Sequence, residues 1–259
     1  MIKINERVKH GLRLVDIYYA KSNYDHNEYD VVFYVQNKSP IKGANEFHTI
    51  LLDLEKSEEE IFAAFGKHLR RGIRKMEKSD EVEYFTYLNP SDEQIESFIK
   101  YFDDFSKNRG IYKCNRQNLY QLRDAGCLAI EGAIEKQTGD ILVYHTYTYD
   151  EIRSRMQYSA SLNYKYPDDN KKRNMICNVN RTLIFKGIKL FKEKGLKEFD
   201  FGGVTLDCNN KTMEGIDHFK MEFGGQIVTE YNYYCAKNSK GRMFLSLKTM
   251  QEKIRRSDK

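Results

Sequence analysis

The sequence contains no tryptophan, no closely spaced cysteine pair and no long apolar run. Its five cysteines are scattered and form no CxxC motif, which argues against a disulfide framework and against a zinc knuckle. No apolar run is long enough to cross a bilayer, and no signal-peptide core is found near the N-terminus. We therefore expect a cytoplasmic protein, with any role in the cell envelope exercised at the inner face of the membrane.

The composition that remains is that of a globular protein. Its 259 residues include 40% apolar residues, with 19 Tyr and 15 Phe, which is enough for a core in one large domain or two small ones. The net charge of +5 permits an anionic partner without requiring one.

The most informative stretch contains two glycine pairs in a fixed order. A glycine pair after a strand lets a ligand approach the backbone or lets the chain turn through positive φ, whereas a pair after a helix is an ordinary C-terminal cap. The predicted order is strand Glu198–Phe201, Gly202-Gly203, helix Gly215–Glu222, Gly224-Gly225 and strand Gln226–Tyr234.

These blocks resemble the FemAB-like transferases of the GNAT (N-acetyltransferase) superfamily, whose members show Y/F-D-F-G-G followed by G-x-x-x-F-K-x-x-F-G-G. The resemblance covers roughly Ser57 to Tyr234 and is close at the glycine blocks. It implies an α/β fold with a GNAT-like mixed sheet flanked by helices. The matching positions are Phe199, Asp200, Phe201, Gly202 and Gly203, then Gly215, Phe219, Lys220, Phe223, Gly224 and Gly225.

The resemblance also implies a reduced N-terminal GNAT-like subdomain, residues 1–80, before a transferase domain, residues 81–259. The first would hold a small sheet and one helix, Ser57–Ser79, that begins with a capping box. A C-terminal helix, Phe244–Arg256, is expected to pack back on the N-terminal part. The other predicted strands are Leu12–Ala20, Asp30–Gln36, Glu46–Asp53, Glu81–Tyr87, Leu128–Glu135, Ile141–Tyr149 and Ser154–Leu162, and the other helices begin at Ser91, Arg116 and Met175.

Lys220 is the first candidate catalytic residue. It matches the family lysine that is thought to stabilise negative charge during aminoacyl transfer, and an ammonium between Phe219 and Phe223 can face an oxyanion or a phosphate. The alternative is a surface lysine on a short helix. Asp200, at a strand end, is predicted either to orient the attacking amine or to cap the next turn.

Other side chains complete the candidate site. His218 is a candidate general base or a polar surface residue, while His145, in an apolar strand, is typical of a core histidine. Gly202 and Gly203 are expected to let a substrate approach, Phe219 to line it, and Tyr231 and Tyr233 to offer hydroxyls from one strand face, with Tyr234 on the other.

The acyl donor depends on the segment Tyr164–Asn178, which contains no glycine. GNAT enzymes that use CoA have a glycine cradle here for the pyrophosphate, so weak acetyl-CoA binding is expected. Lys171, Lys172 and Arg173, before the helix, are predicted either to contact a phosphate or to form a solvated basic loop.

The basic face of the helix Ser57–Ser79 suggests contact with tRNA or a nucleotide-linked precursor, although a solvated face is the alternative. The candidate nucleic-acid contacts are Arg70, Arg71, Arg74 and Lys75.

Three functions remain open from the sequence. The first is an acyltransferase that forms an amide on an amine of a nucleotide- or lipid-linked envelope or glycan precursor, with an aminoacyl-tRNA donor, no further cofactor and no metal. The second is an acetyl-CoA-dependent N-acetyltransferase acting on an amino sugar. The third is a catalytically silent binding protein with the GNAT fold.

Overall fold

A computed structural model describes residues 1–20, 26–39, 41–206 and 211–257, and their contacts divide the chain into two compact units. The smaller unit comprises Met1–Phe47 with Thr229–Lys259, and the larger comprises His48–Val228. The contacts therefore place residues 48–80 in the larger unit, whereas the sequence analysis placed a boundary at residue 80. Within the described residues four cysteines carry free thiols, and Cys208 lies outside them.

The smaller unit is a sheet covered by one helix. Its strands lie in the order β1-β2-β3-β10, with β2 and β3 parallel and the other pairs antiparallel. Strand β1 is absent from the sequence prediction. Phe244 and Leu245 of α7 pack against Leu12, Leu14 and Val31. The elements are β1 (Ile2–Lys9), β2 (Leu12–Tyr18), β3 (Val31–Asn37), β10 (Gln226–Ala236) and α7 (Ser239–Ser257).

The larger unit is a mixed sheet flanked by helices, which confirms the predicted α/β, GNAT-like fold class. Its strands lie in the order β4-β9-β8-β7-β6-β5. The elements are β4 (Asn45–Asp53), α1 (Glu58–Ala64), α2 (Lys67–Glu77), β5 (Val82–Tyr87), α3 (Asp92–Arg109), α4 (Arg116–Asp124), β6 (Leu128–Glu135), β7 (Ile141–Tyr149), β8 (Arg153–Ser161), α5 (Asn170–Glu193), β9 (Glu198–Gly203) and α6 (Lys211–Met221).

The parallel pair β8 and β9 marks the opening in this sheet. Their ladder joins Arg153–Arg155 to Glu198–Asp200 and ends there, although β8 continues to Ser161 and β9 to Gly203. The two strands are therefore paired only over their first three residues.

The predicted helix Ser57–Ser79 is in fact two helices, α1 and α2. The predicted capping box is confirmed, since the Ser57 side chain accepts from the Glu60 amide and the Glu60 carboxylate accepts from the Ser57 amide. The backbone then becomes extended at Phe65 and Gly66, and the Gly66 N–H donates to the Glu222 carbonyl at 2.8 Å. A contact distant in sequence therefore interrupts a pattern that is continuously helical.

Helix α2 belongs to the larger unit because it crosses α5 closely. A Cβ added at Gly72 would clash with the Asn178 side chain. Leu69 and Ile73 are fully buried in the same core cluster as Phe185 of α5. None of the helices within the described ranges combines the length and the apolar sequence that a bilayer crossing requires.

Candidate functional site

Asp200 fixes a tight turn at the end of β9. Its carboxylate is fully buried, and Oδ1 accepts from the Gly202 N–H at 2.7 Å and from the Thr49 hydroxyl, while Oδ2 lies 3.7 Å from an Arg153 guanidinium nitrogen. Gly202 has φ +78°, a conformation that favours glycine. Of the two predicted roles for Asp200, the geometry supports capping of the turn, because these groups already surround the carboxylate.

Lys220 of α6 reaches back to the same turn. Its Nζ donates to the Gly203 carbonyl at 2.6 Å and lies 3.4 Å from the Gly202 carbonyl oxygen. The side chain is partly buried, so the structure differs from the surface-lysine alternative. The predicted glycine pair and lysine thus meet at one place, and the catalytic role of Lys220 stays a prediction.

The charges around Lys220 are mixed. Burial lowers the pKa of the Lys220 ammonium below its ordinary value, the carboxylates of Asp217 and Asp200 oppose that shift, and Arg155 adds to it. Asp217 also accepts from the Thr205 N–H and hydroxyl, each at 3.1 Å, which ties the segment after β9 to α6. The result is a partly desolvated ammonium with a second cation in its field.

Aromatic packing holds α6 in place. Phe219 is partly buried and packs its ring against Phe223, with centroids 5.6 Å apart. Phe223 is fully buried and lies 5.2 Å from the rings of both Phe201 and Phe65. Phe219 therefore lies one residue from Lys220 on an anchored helix, where its predicted substrate contact remains a prediction.

The second glycine pair lies where close packing leaves no space for a side chain. Gly224 has φ +75° and its N–H donates to the Met221 carbonyl, as in a C-terminal cap, but a Cβ there would also lie 2.8 Å from that of Ala64. A Cβ at Gly225 would lie 2.5 Å from a methyl of Ile50 and 3.0 Å from the Leu51 carbonyl oxygen. These two glycines let the end of α6 lie directly against α1 and β4.

The two histidines differ in environment. His218 is exposed on α6 and stands two residues from Lys220, so the two side chains point about 200° apart around the helix. The structure therefore does not bring His218 to the side that carries Lys220. His145 is a core histidine, as predicted, because it is fully buried with Nε2 2.7 Å from the Asn180 side-chain oxygen, and burial lowers its pKa to about 4.

Tyr231 and Tyr233 belong to the smaller unit, whereas Lys220 belongs to the larger. Both pack in one apolar cluster, and the ring of Tyr233 lies 5.2 Å from that of Tyr34. Tyr234 is exposed and stacks on Phe33 at 4.4 Å, so the predicted alternation of faces is confirmed. A substrate contact for Tyr231 or Tyr233 stays a prediction.

Lys171, Lys172 and Arg173 lie in the first turn of α5, not in a loop before it. The helix starts earlier than predicted because Asp169 caps it, its Oδ1 accepting from the Lys172 N–H at 2.8 Å. The Lys172 ammonium pairs with the Glu135 carboxylate, while Lys171 and Arg173 are exposed. A phosphate at this helix start would therefore meet two carboxylates, and the predicted phosphate contact remains untested.

The candidate nucleic-acid residues all lie on α2. Arg71, Arg74 and Lys75 are exposed, and Arg70 is partly buried. Arg74 also stacks over the Phe62 ring, 5.2 Å from its centroid. Both interpretations of this basic face, nucleic-acid contact and solvation, stay open.

Four residues of the site escaped the sequence analysis: Thr49, Arg153, Arg155 and Asp217. Thr49 is 151 residues from the carboxylate that it contacts, and Arg153 reaches that carboxylate from a neighbouring strand. Asp217 lies inside the recognised motif at a position where the family pattern sets no residue. A prediction of the parallel β8–β9 register is the signal that would have placed Arg153 opposite Glu198 and Arg155 opposite Asp200, on one face of the sheet.

Comparison with known proteins identifies the fold. No protein-family model matches the chain, and no curated protein matches it. Among solved structures, FemX matches with TM-score 0.63 at 12% identity, over 86% of this chain and 81% of that one. The C-terminal domain of a candidate lysylphosphatidylglycerol synthetase from Agrobacterium fabrum matches with TM-score 0.55 at 10% identity, over 94% and 82%.

A third similar structure is L-PGS from Bacillus licheniformis, with TM-score 0.51 at 16% identity, over 82% of this chain and 69% of that one. At these identities the comparisons show a shared fold. They confirm the fold expected from the FemAB-like resemblance.

Proposed function

We propose that this protein is an acyltransferase that forms an amide on an amine acceptor. The observation that carries the proposal is the Lys220 ammonium held at the Gly202 and Gly203 carbonyls, close to the point where the β8–β9 ladder ends. The resemblance to FemAB-like transferases and the fold shared with FemX support it.

The chemistry follows from the donors of Lys220. Attack by a neutral amine on an acyl carbonyl creates an oxyanion, which donors already in place stabilise. An ammonium has three N–H donors, and the two glycine carbonyls account for two of them. Within the part of the chain that the structure describes, no other acceptor contacts this ammonium, so the third donor can serve the oxyanion, and Arg155 adds positive potential.

An aminoacyl-tRNA is the donor we propose, with an amine of a nucleotide- or lipid-linked envelope precursor as the acceptor. The start of α5 supports this choice over acetyl-CoA. The segment before it contains no glycine, and Asp169 already accepts from an N–H in the first turn of the helix. A pyrophosphate there would meet a carboxylate where CoA-binding enzymes present free amides.

The donor is tested by binding. A radiolabelled pool of charged tRNA should be retained on filters with this protein, while acetyl-CoA should give no saturation at micromolar concentration by calorimetry. Tight, stoichiometric acetyl-CoA binding with no retention of charged tRNA would instead indicate the N-acetyltransferase. Absence of binding by both donors would favour the silent binding protein.

The role of Lys220 is tested by transfer of a labelled amino acid from that pool to a precursor fraction with free amines. Lys220→Ala should lower kcat roughly 100- to 1,000-fold, since it removes one preorganised donor. Lys220→Arg, which keeps the charge and changes the geometry, should retain partial activity. The matched control is Lys107→Ala, an exposed lysine of α3, which should transfer at the parental rate. Parental rates for both Lys220 variants would refute the assignment.

A further inference from the structure

A groove of about 840 Å³ lies in the smaller unit, between α7 and the turn that joins β1 to β2. Its floor is apolar and includes Leu12, Leu14 and Phe244. Its rim is basic and includes Arg7, Lys9, Lys240 and Lys248. None of the described residues that line this groove is acidic.

Helix α7 presents exposed apolar side chains at the groove, two of which, Met243 and Leu247, line it. Met243 is 65% exposed, Leu247 is 55% exposed and Met250 is 62% exposed. Their spacing, three and four residues apart, puts them on one side of the helix. Phe244 and Leu245 already hold another side of α7 on the sheet, so the exposed stripe is not needed to attach the helix.

The neighbouring hairpin continues this surface. Val8 of β1 is 74% exposed and stands between Arg7 and Lys9. A guanidinium nitrogen of Arg7 lies 3.3 Å from an Asp16 carboxylate oxygen, so the charge of Arg7 is partly neutralised. Helix α7, by contrast, carries Lys240, Arg242 and Lys248 and no acidic residue from Ser239 to Met250. Large apolar side chains and positive charge therefore occur together on two elements.

We propose that this surface binds an anionic lipid bilayer. A basic surface with exposed methionine and leucine fits a partner that offers negative headgroups above an apolar interior. A nucleic acid supplies the charge but no apolar region to receive Met243 and Leu247. A second copy of the chain would bring the same positive charge to the contact. Charge complementarity thus selects the membrane surface.

Sedimentation with vesicles tests the proposal, using the full chain and either phosphatidylcholine alone or phosphatidylcholine mixed with phosphatidylglycerol. The protein should sediment with the mixed vesicles, and added salt should release it, because the attraction of lysines to an anionic surface is screened. Removing one rim lysine, as in Lys9→Ala or Lys240→Ala, should weaken the partition coefficient roughly fivefold.

The apolar stripe is tested separately. Met243→Ser with Leu247→Ser should abolish most of the binding while leaving the circular dichroism spectrum unchanged, since both side chains are exposed. The matched control is Ile111→Ser with Tyr112→Ser, which removes exposed apolar groups, 50% and 96% accessible, from the larger unit. That control should bind like the parent.

Three results would overturn the proposal. The first is equal sedimentation with neutral and mixed vesicles. The second is loss of binding in the Ile111 and Tyr112 control to the same extent as in the stripe variant. The third is a dimer by light scattering that the stripe variant alone dissociates, with no vesicle binding by the parent. None of these depends on catalysis, so they leave the acyltransferase proposal untouched.

Discussion

The two glycine pairs have the same letters and different tasks. At Gly202-Gly203 the carbonyls accept from Lys220, and among the described residues a Cβ at Gly202 would meet only the Met156 carbonyl oxygen at 3.3 Å and the Lys220 Nζ at 4.0 Å. At Gly224-Gly225 an added Cβ would press into Ala64 or Ile50. The first pair presents its carbonyls to the Lys220 ammonium, and the second lets the end of α6 pack against α1 and β4.

The comparison shows what a glycine pattern alone leaves undecided. The sequence predicted a ligand approach or a turn for the first pair, and a helix cap for the second. The predicted helix cap accounts for Gly224, whose φ is positive. Gly225 must be glycine for another reason, because the backbone of β4 lies against it and leaves no space for a Cβ. Only the tertiary partner distinguishes conformational freedom from lack of space.

Gly225→Ala should have the largest effect on stability. Its methyl would lie within 3.0 Å of the Leu51 backbone oxygen, which cannot move without disturbing β4. We expect a loss of about 3 kcal/mol in the free energy of unfolding, at the upper end of overpacking costs. Urea denaturation followed by circular dichroism measures it. A loss below about 0.5 kcal/mol would show that β4 and this segment separate easily.

The ammonium at the first pair should impose a pH limit. The pKa of Lys220 in the folded protein lies below its ordinary value of 10.5. Above that lowered pKa the ammonium loses its proton, so the rate of transfer should fall about tenfold per pH unit. Between that value and 10.5 the unfolded chain binds more protons, so the free energy of unfolding contributed by Lys220 rises with pH.

Lys220→Arg is the matched variant for this limit, because arginine stays charged throughout the range. A pH–rate profile of parent and variant should show the alkaline decline in the parent alone. The same decline in both would assign it to another group.

Gly202→Ala should cost about 1 kcal/mol of stability, the penalty of a left-handed conformation for a residue with a Cβ. Because its methyl would face the Lys220 Nζ, kcat should fall by more than the stability loss explains. Thermal melts and transfer assays on one preparation separate the two. Unchanged kcat with the expected melt would make the first pair a turn and nothing more.

Gly215→Ala should have the smallest effect. Gly215 lies in α6, and no atom of the described residues lies within 4 Å of where its Cβ would be, so alanine should stabilise the chain by roughly 0.5–1 kcal/mol through helix propensity. A rise in melting temperature with unchanged transfer checks it. A loss of stability would instead mean that a Cβ at position 215 meets a neighbouring group.

Local signals predicted much of this fold, and long-range contacts account for what was missed. The helix starts predicted at Ser57 and Ser91 are correct, and in the structure each has a capping box that is complete within four residues. The break at Gly66 depends on Glu222, and the role of Asp200 depends on Thr49, so neither is visible in a local window. The motif located Lys220 and its carbonyl partners but gave no indication of Asp217 or Arg153.

The pairing of β3 with β10 also means that the sheet of the smaller unit is completed late in synthesis. The ladder joins Val31–Asn37 to Tyr231–Ala236, so the smaller unit takes its last strand from a part of the chain made long after the first three. At typical ribosomal rates of 5–20 residues per second, β3 waits roughly 10–40 seconds for that partner. During this interval its apolar residues, including Val32 and Tyr34, lack β10, and a nascent chain is at its most vulnerable to aggregation and to holding by chaperones.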